Sequence, residues 1–427
     1  MTAVLAEETM LFRHFAFAAG CLAALTAPAL ADTKIKILHV NNNPAAIALW
    51  DKIGKDYEAD HKGVQVEFQY LENEAFKAKL PTMLQSADSR PDLFYSWGGG
   101  VMVAQYQAGF LKDITADVAE VQSHLLPTAV DAFKVDGKAV GVPWDTGGVV
   151  FFYNKQLFNK AGVKAEDIKS WDDFLAAVKK IKAAGITPIV VGGGEKWPMH
   201  FYYSYLVMRI GGDQALIEAK AGKEGGFKGS SWVKAGELLR DLAKLEPFQP
   251  GYLQTSQAQS AQIFGDGKAA IDLMGEWLLG MQGPSSTSGK GLPASDIGIL
   301  SFPLVPGGKG KETDMLGGVH AWLVTKTAPA EAVDFLKFFS QEKYAKAAAE
   351  TGAYIPVFKD TAQSIKDPAM RQIAESVAKA TWHQNFFDQD LGPSVGRVIN
   401  DVSINVAAGE MTPEAGAAAI QDAFDQQ

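Results

Sequence analysis

An acid beside an indole recurs along this chain, each time next to glycine. Trp144-Asp145 precedes Gly147-Gly148, Glu195 and Trp197 follow Gly192-Gly193-Gly194, and Glu276-Trp277 follows Gly275. Trp97 ahead of Gly98-Gly99-Gly100 and the patch Phe386-Phe387-Asp388 extend the set. Polyhydroxylated rings call for this combination. A pyranose presents a face of C–H bonds that stacks on indole or phenyl, and its hydroxyls are gripped by carboxylates and amides through charge-assisted bonds. A site that bonds several hydroxyls also discriminates, because a missing hydroxyl leaves a buried group unpaired. Any one of these aromatics is as easily core packing. All of them together, at strand ends or loops, favour a carbohydrate site.

The elements that would position these groups follow the pattern of an open α/β sheet. Residues 34–40 alternate as a strand and stop at Asn41-Asn42-Asn43-Pro44, read as a strand-end loop with free side-chain amides. A helix over 45–60 carries Ile47, Trp50, Ile53 and Tyr57 on one face, and a second strand over 64–70 leads to Glu72 and a helix over 75–86. Residues 91–96 form a third, buried strand that ends at Trp97. Strand, helix, strand, helix, strand is the signature of a parallel sheet with crossovers. Ligands of such sheets sit at the carboxyl ends of the strands, where Asn41, Asn42, Asn43, Glu72, Trp97 and Gly98 all fall. At residues 140–160 the chain crosses into a second half, and the crossing is expected to hold both Trp144 and Asp145 toward a cleft. The alternation then resumes, with a helix capped by Ser170, a strand over 268–274 running into Gly275-Glu276-Trp277, a returning strand from Gly318, and a closing helix capped by Thr412.

Composition narrows the class. Hydrophobic residues make up 47% of 427 and charged residues 21%, with a net charge of −9, which argues against nucleic acid or an anionic membrane surface as partner. From Met10, a charged start at Arg13-His14, an apolar run over 15–25 and Ala29-Leu30-Ala31 read as a secretory signal peptide ending at residue 31. Met10 is then the working start. The single cysteine, Cys21, lies inside that leader, so the mature chain has no disulfide, thiol nucleophile or thiolate metal site. The histidines show no H-E-x-x-H spacing, and two S-x-x-K matches lack companion motifs. No metal or cofactor is expected.

Further stretches carry a family likeness: Phe152-Tyr153-Asn154-Lys155 with Leu157-Phe158, Trp171-Asp172-Asp173-Phe174, Phe264-Gly265-Asp266-Gly267-Lys268, Gly275-Glu276-Trp277, Phe302-Pro303-Leu304 and Tyr354-Ile355-Pro356. In these the chain resembles the periplasmic sugar-binding proteins of ABC importers, the extracellular solute-binding family that includes maltose-binding protein. The resemblance implies two α/β lobes, each a mostly parallel sheet flanked by helices, joined by hinge strands and closing on a di- or oligosaccharide. The lobes would take residues 32–143 with 324–355 and residues 144–323 with 356–427, with a third crossing near 353–359. It further implies a periplasmic monomer that catalyses nothing and delivers its sugar to permease subunits in the inner membrane. Ligand contacts are expected at Asn41, Asn42, Asn43, Glu72, Trp97 and Gly98 from the first lobe. Asp145, Glu195, Trp197, Trp277, Gly318, Phe386 and Asp388 complete the set. The first loop and the glycines after Trp97 depart from the maltodextrin branch. The competing reading is a secreted glycoside hydrolase using paired carboxylates, with Asp145, Glu195, Glu276 and Asp388 as candidates; the strand–helix pattern does not repeat as a (β/α)8 barrel would.

Overall fold

Residues 33–427 are described by the computed structural model; the leader expected over residues 1–31 lies outside them. Strand β1 (Thr33–His39) enters the helix Pro44–Asp60 through Asn43, whose side-chain oxygen accepts the Ala45 amide at 3.0 Å, with Pro44 in the first turn. Trp50, Ile53 and Tyr57 are buried as their spacing predicts, joined by Ala46 and Leu49 rather than by Ile47. Strand β2 (Val64–Tyr70), the helix Asn73–Gln85 and strand β3 (Leu93–Ser96) follow. Farther on come β4 (Gly141–Gly148), β5 (Val150–Asn154), β6 (Thr187–Val190), β7 (Ala269–Met274), β8 (Ile297–Leu300), β9 (Met315–Val324) and β10 (His383–Gln384).

Two sheets organise the molecule. The first runs β10–β9–β3–β1–β2, with β4 also paired to β9. Its pairs β1–β2, β1–β3 and β9–β10 are parallel, while β9 is antiparallel to β3 and β4. The second sheet runs β8–β5–β7–β6, and only its β6–β7 pair is parallel. The expectation of a mostly parallel sheet in each half therefore describes the first sheet and not the second. The strand that breaks the pattern is β5, which enters the second sheet from the crossing and lies antiparallel to both of its neighbours, β8 and β7.

Each sheet nucleates its own hydrophobic core. One core draws on residues 35–144 and 321–354 with Val357, and has Trp50, Tyr57 and Trp322 at its centre; the other draws on 149–316 and 355–420 with Ala349, and has Phe151, Trp171 and most of the helix Trp197–Gly211 buried. Asp272 on β7 is buried in this second core with neither carboxylate oxygen bonded, and burial raises its pKa from 3.8 to about 8. The two cores meet along three adjacent stretches of backbone. β4 and β9 pair from Gly141–Leu323 to Gly148–Gly317 with a register shift between His320 and Ala321, and the segment around Pro356 bonds β4 on its other side, Thr146 N–H to Ile355 O at 2.9 Å and Val357 N–H to Trp144 O at 3.3 Å.

Candidate functional site

Between the two cores lies a cavity of about 230 Å3, walled by residues of both. From the first core it receives the Asn41–Asn43 loop at the end of β1, Tyr70 and Glu72 at the end of β2, and Tyr95 and Trp97 at the end of β3. These are the carboxyl ends of parallel strands, where the free edge of the backbone faces outward. From the second it receives Glu195, Trp197, His200 and Phe201, then Glu276 and Trp277 after β7, and finally Phe386 and Asp388. Asp145 from β4 and His320 from β9 close the inner end.

The aromatic side groups form an arc. Trp277 lies 6.4 Å from Trp197 and 6.3 Å from Phe386 between ring centres, and Phe386 stacks on Phe201 at 5.5 Å. Across from them Trp97 is held edge-on by Tyr95 at 4.9 Å and Phe76 at 5.8 Å. Glu195 fixes one member of the arc: its carboxylate accepts the Trp197 indole N–H at 2.9 Å and the backbone N–H of Gln257 at 2.9 Å. The role of Glu195 is thus to position an indole. Gly275 makes room for Trp277, since a Cβ there would stand 2.0 Å from its ring.

The acids divide into two kinds. At the inner end Asp145 and Glu276 are both buried. Nδ1 of His320 is 2.5 Å from Asp145 Oδ1, yet the approach is misaligned and neither atom has a hydrogen-bond partner; Glu276 Oε2 has none either. Burial pushes both carboxyls up, opposed by His320 at Asp145 and reinforced by the Asp145 charge at Glu276, which is carried well above the usual range. At the outer end Asp388 is also buried, but Lys77 of the first core reaches across to it at 3.0 Å, and Gln389 and Asn400 donate at 3.2 and 3.3 Å. Burial alone would raise the Asp388 carboxyl; the Lys77 ammonium, His200 and these bonds outweigh it and hold its pKa at about 2. Lys77 Nζ also lies 5.7 Å from the centre of the Trp97 ring.

The expected residues thus fall into three groups. Asn41, Asn42, Asn43, Glu72, Trp97, Asp145, Glu195, Trp197, Trp277, Phe386 and Asp388 all line the cavity. Gly98 and Gly318 are not among its lining residues: Gly98 backs onto Ala132 and Phe133, and a Cβ on Gly318 would stand 2.6 Å from the Phe386 ring. Trp144 turns the other way, packed edge-on to Trp50 at 5.2 Å and Tyr354 at 4.7 Å inside the first core. Neighbouring side chains on a strand point to opposite faces, so Trp144 and Asp145 cannot both face the cleft. Nor are all the side-chain amides of the first loop free. Asn43 caps its helix and donates to Ala353 O at 3.0 Å, while Asn41 accepts the Asn43 amide at 2.8 Å; Glu72 likewise caps the helix Asn73–Gln85 through Glu74 and Ala75. Tyr95, His200, Phe201, Lys77 and His320 were not foreseen from the sequence. His320 had one available signal, its two-residue offset from Gly318 along β9; Lys77 on a helix face had none.

Among the described residues no cluster of His, Cys, Asp and Glu could hold a metal ion, and no helix is long and apolar enough to cross a membrane. Residues 42–346 match the family model described as bacterial extracellular solute-binding protein. The chain belongs to that family. Among this solute-binding protein's relatives, the diacetylchitobiose binding protein of Streptomyces coelicolor is 25% identical over 333 residues, covering 76% of this chain and 74% of the relative. A structure from work on xylan utilization by Caldanaerobius polysaccharolyticus superposes with a TM-score of 0.84 at 25% identity, covering 91% of this chain and 99% of that one. A chitin oligosaccharide binding protein superposes equally well, TM-score 0.84 at 24% identity over 92% and 98% of the two chains, and shares the two-lobed fold. Fold class and transport family accordingly agree with the sequence reading.

Proposed function

We propose that this solute-binding protein captures a neutral sugar, a disaccharide or longer, for an ABC importer, acting as a monomer outside the cytoplasmic membrane, in the periplasm. The observation that carries the reading is the arc of Trp197, Trp277 and Phe386 facing Trp97 across the cleft, with carboxylates and amides from both cores around it. A sugar ring stacks on the arc while its hydroxyls meet Asp145 and Asp388. The two cores act as the lobes, residues 32–143 with 324–355 and 144–323 with 356–427. Contacts made to both at once are available only when they are closed, so the ligand shifts the population toward the closed form. The closed surface is then what the permease subunits recognise. No step of catalysis is assigned; the sugar leaves as it entered, and the relatives that support this reading are binding proteins.

The test is calorimetry on the mature chain with a panel of mono- to tetrasaccharides. Trp277→Ala and Asp145→Ala are each expected to weaken binding of the cognate sugar by about 1 kcal/mol or more, the scale of a lost stack or buried polar contact. Unchanged affinity in both variants would sink the site assignment. Release of monosaccharide from a bound disaccharide would instead favour a hydrolase.

A further inference from the structure

Beyond the Lys77–Asp388 bridge the cleft opens again. A second chamber of about 600 Å3, larger than the first on the same measure, lies between the helices Asn73–Gln85 and Gly99–Gln107 on one side and residues 194–196 and 388–401 on the other. The two chambers share the walls formed by Lys77, Tyr95, Trp97, Glu195, Asp388 and Gln389. Lys77, paired with Asp388 at 3.0 Å and Glu74 at 3.2 Å, stands as the partition, with the Trp97 indole beside it.

The lining repeats the chemistry of the first chamber. Phe76, Trp97 and Val101 supply apolar surface, and Gln105 and Asn400 supply amides. Two of its acceptors, Gln105 Oε1 and Asn400 Oδ1, are buried without a hydrogen-bond partner, and Asn400 is only 8% exposed. A buried acceptor left unpaired is costly, and a donating hydroxyl would relieve it once a small side-chain shift opens either oxygen to the chamber. The charged side chains of the lining nearly balance, Lys77, Lys196 and Arg397 against Glu74, Glu195, Asp388 and Asp401. Lys77 pairs with Glu74 and Asp388, and Lys196 with Asp401 at 2.6 Å, while Arg397 has no ion pair among the described residues. A lining so nearly balanced favours a guest without net charge. Lys196, at the junction of the chambers between Glu195 and Trp197, has a φ of +65°, a conformation that side-chain-bearing residues avoid unless the surroundings impose it.

We propose that the sugar bound at the aromatic arc continues past the Lys77–Asp388 bridge into this second chamber, making the ligand a neutral oligosaccharide longer than a disaccharide. The inference rests on the sugar-binding reading above and extends it to substrate length. Calorimetry with di- and tetrasaccharides of glucose, xylose, galactose and N-acetylglucosamine tests it, on the natural mature chain and on Ala78→Trp and Val101→Trp. These variants place bulk in the second chamber from two separate helices, and neither residue lines the first. In the natural chain the cognate tetrasaccharide is expected to bind at least ~10-fold tighter than its disaccharide, the gain of about one further stacked ring. The variants should abolish that gain while leaving the disaccharide affinity within about twofold, since its contacts stay in the first chamber. If the disaccharide binds but the tetrasaccharide gains nothing, or if the gain survives in both variants, the extension is wrong and the sugar reading stands. If no sugar of the panel binds, both fall together.

Discussion

The inner and outer ends of the cleft solve the same problem in opposite ways. Both bury acid. At the outer end Asp388 meets an ammonium from the facing core and amides from its own, and it stays ionised. At the inner end Asp145 and Glu276 lie near each other with one imidazole and vacant acceptors, and burial drives their carboxyls toward the protonated form. The contrast teaches that the sign of a buried acid's shift is set by whether a cation reaches it. It also separates two jobs. A charged, paired acid joins the lobes, whereas an acid holding its proton can donate to a ligand's oxygen.

Asp272, buried in the second core far from any cation, isolates the burial term and gives the largest expected effect. A carboxyl whose folded pKa is raised stabilises the fold fully below its unfolded value, and that contribution is lost as pH rises through the folded value. Between pH 3.8 and about 8 the natural chain should therefore lose stability relative to Asp272→Asn, by a ceiling of roughly 5 kcal/mol. Urea unfolding of both chains across this range measures it; parallel curves would mean that Asp272 has a partner.

Breaking the outer pair comes next. Lys77→Met leaves the Asp388 charge buried and should destabilise the chain by about 3 kcal/mol, the low end for a severed buried pair, because a quarter of the Lys77 side chain remains exposed. Lys77→Met/Asp388→Asn should recover more than half of that loss. For Asp388 the sign is the reverse of Asp272: its contribution is present above the unfolded carboxylate value and lost as pH falls through about 2. An unfolding midpoint unmoved by Lys77→Met would remove the bridge from the argument.

The smallest effect sharpens the inner end. Glu276 held as a neutral acid is closely mimicked by an amide, so Glu276→Gln should change stability at pH 6 by less than about 1 kcal/mol. Its raised pKa means the natural chain loses stability as pH rises, and the variant should lose less. Thermal melts at pH 6 and pH 9 decide it. A large loss at pH 6 would show that the charged form is the native one.

The sequence made the site legible wherever an aromatic or acid fell at a strand end beside glycine. Trp97, Glu195, Trp197 and Trp277 reach the cavity for that reason, and Asp145 does so from within β4. It misjudged Trp144 because the strand's two-residue alternation was passed over in favour of the dipeptide. It also treated Asn43 as free and Glu72 as a ligand contact, when helix starts claim the oxygens of both. The antiparallel pairing of β5 with β7 and β8 joins stretches far apart in the chain, which no local pattern announces. Lys77 was invisible for a different reason: what distinguishes it is an acid 311 positions away.

The three backbone stretches between the cores are bonded edge to edge, β9 to β4 and β4 to the stretch at Pro356. A laced ribbon of this kind is stiff within its own plane, where sliding one stretch would break bonds to its neighbour, and compliant only across it. Under the proposed closure, the halves of the molecule would be left a single easy direction of travel, like pages turning on one spine.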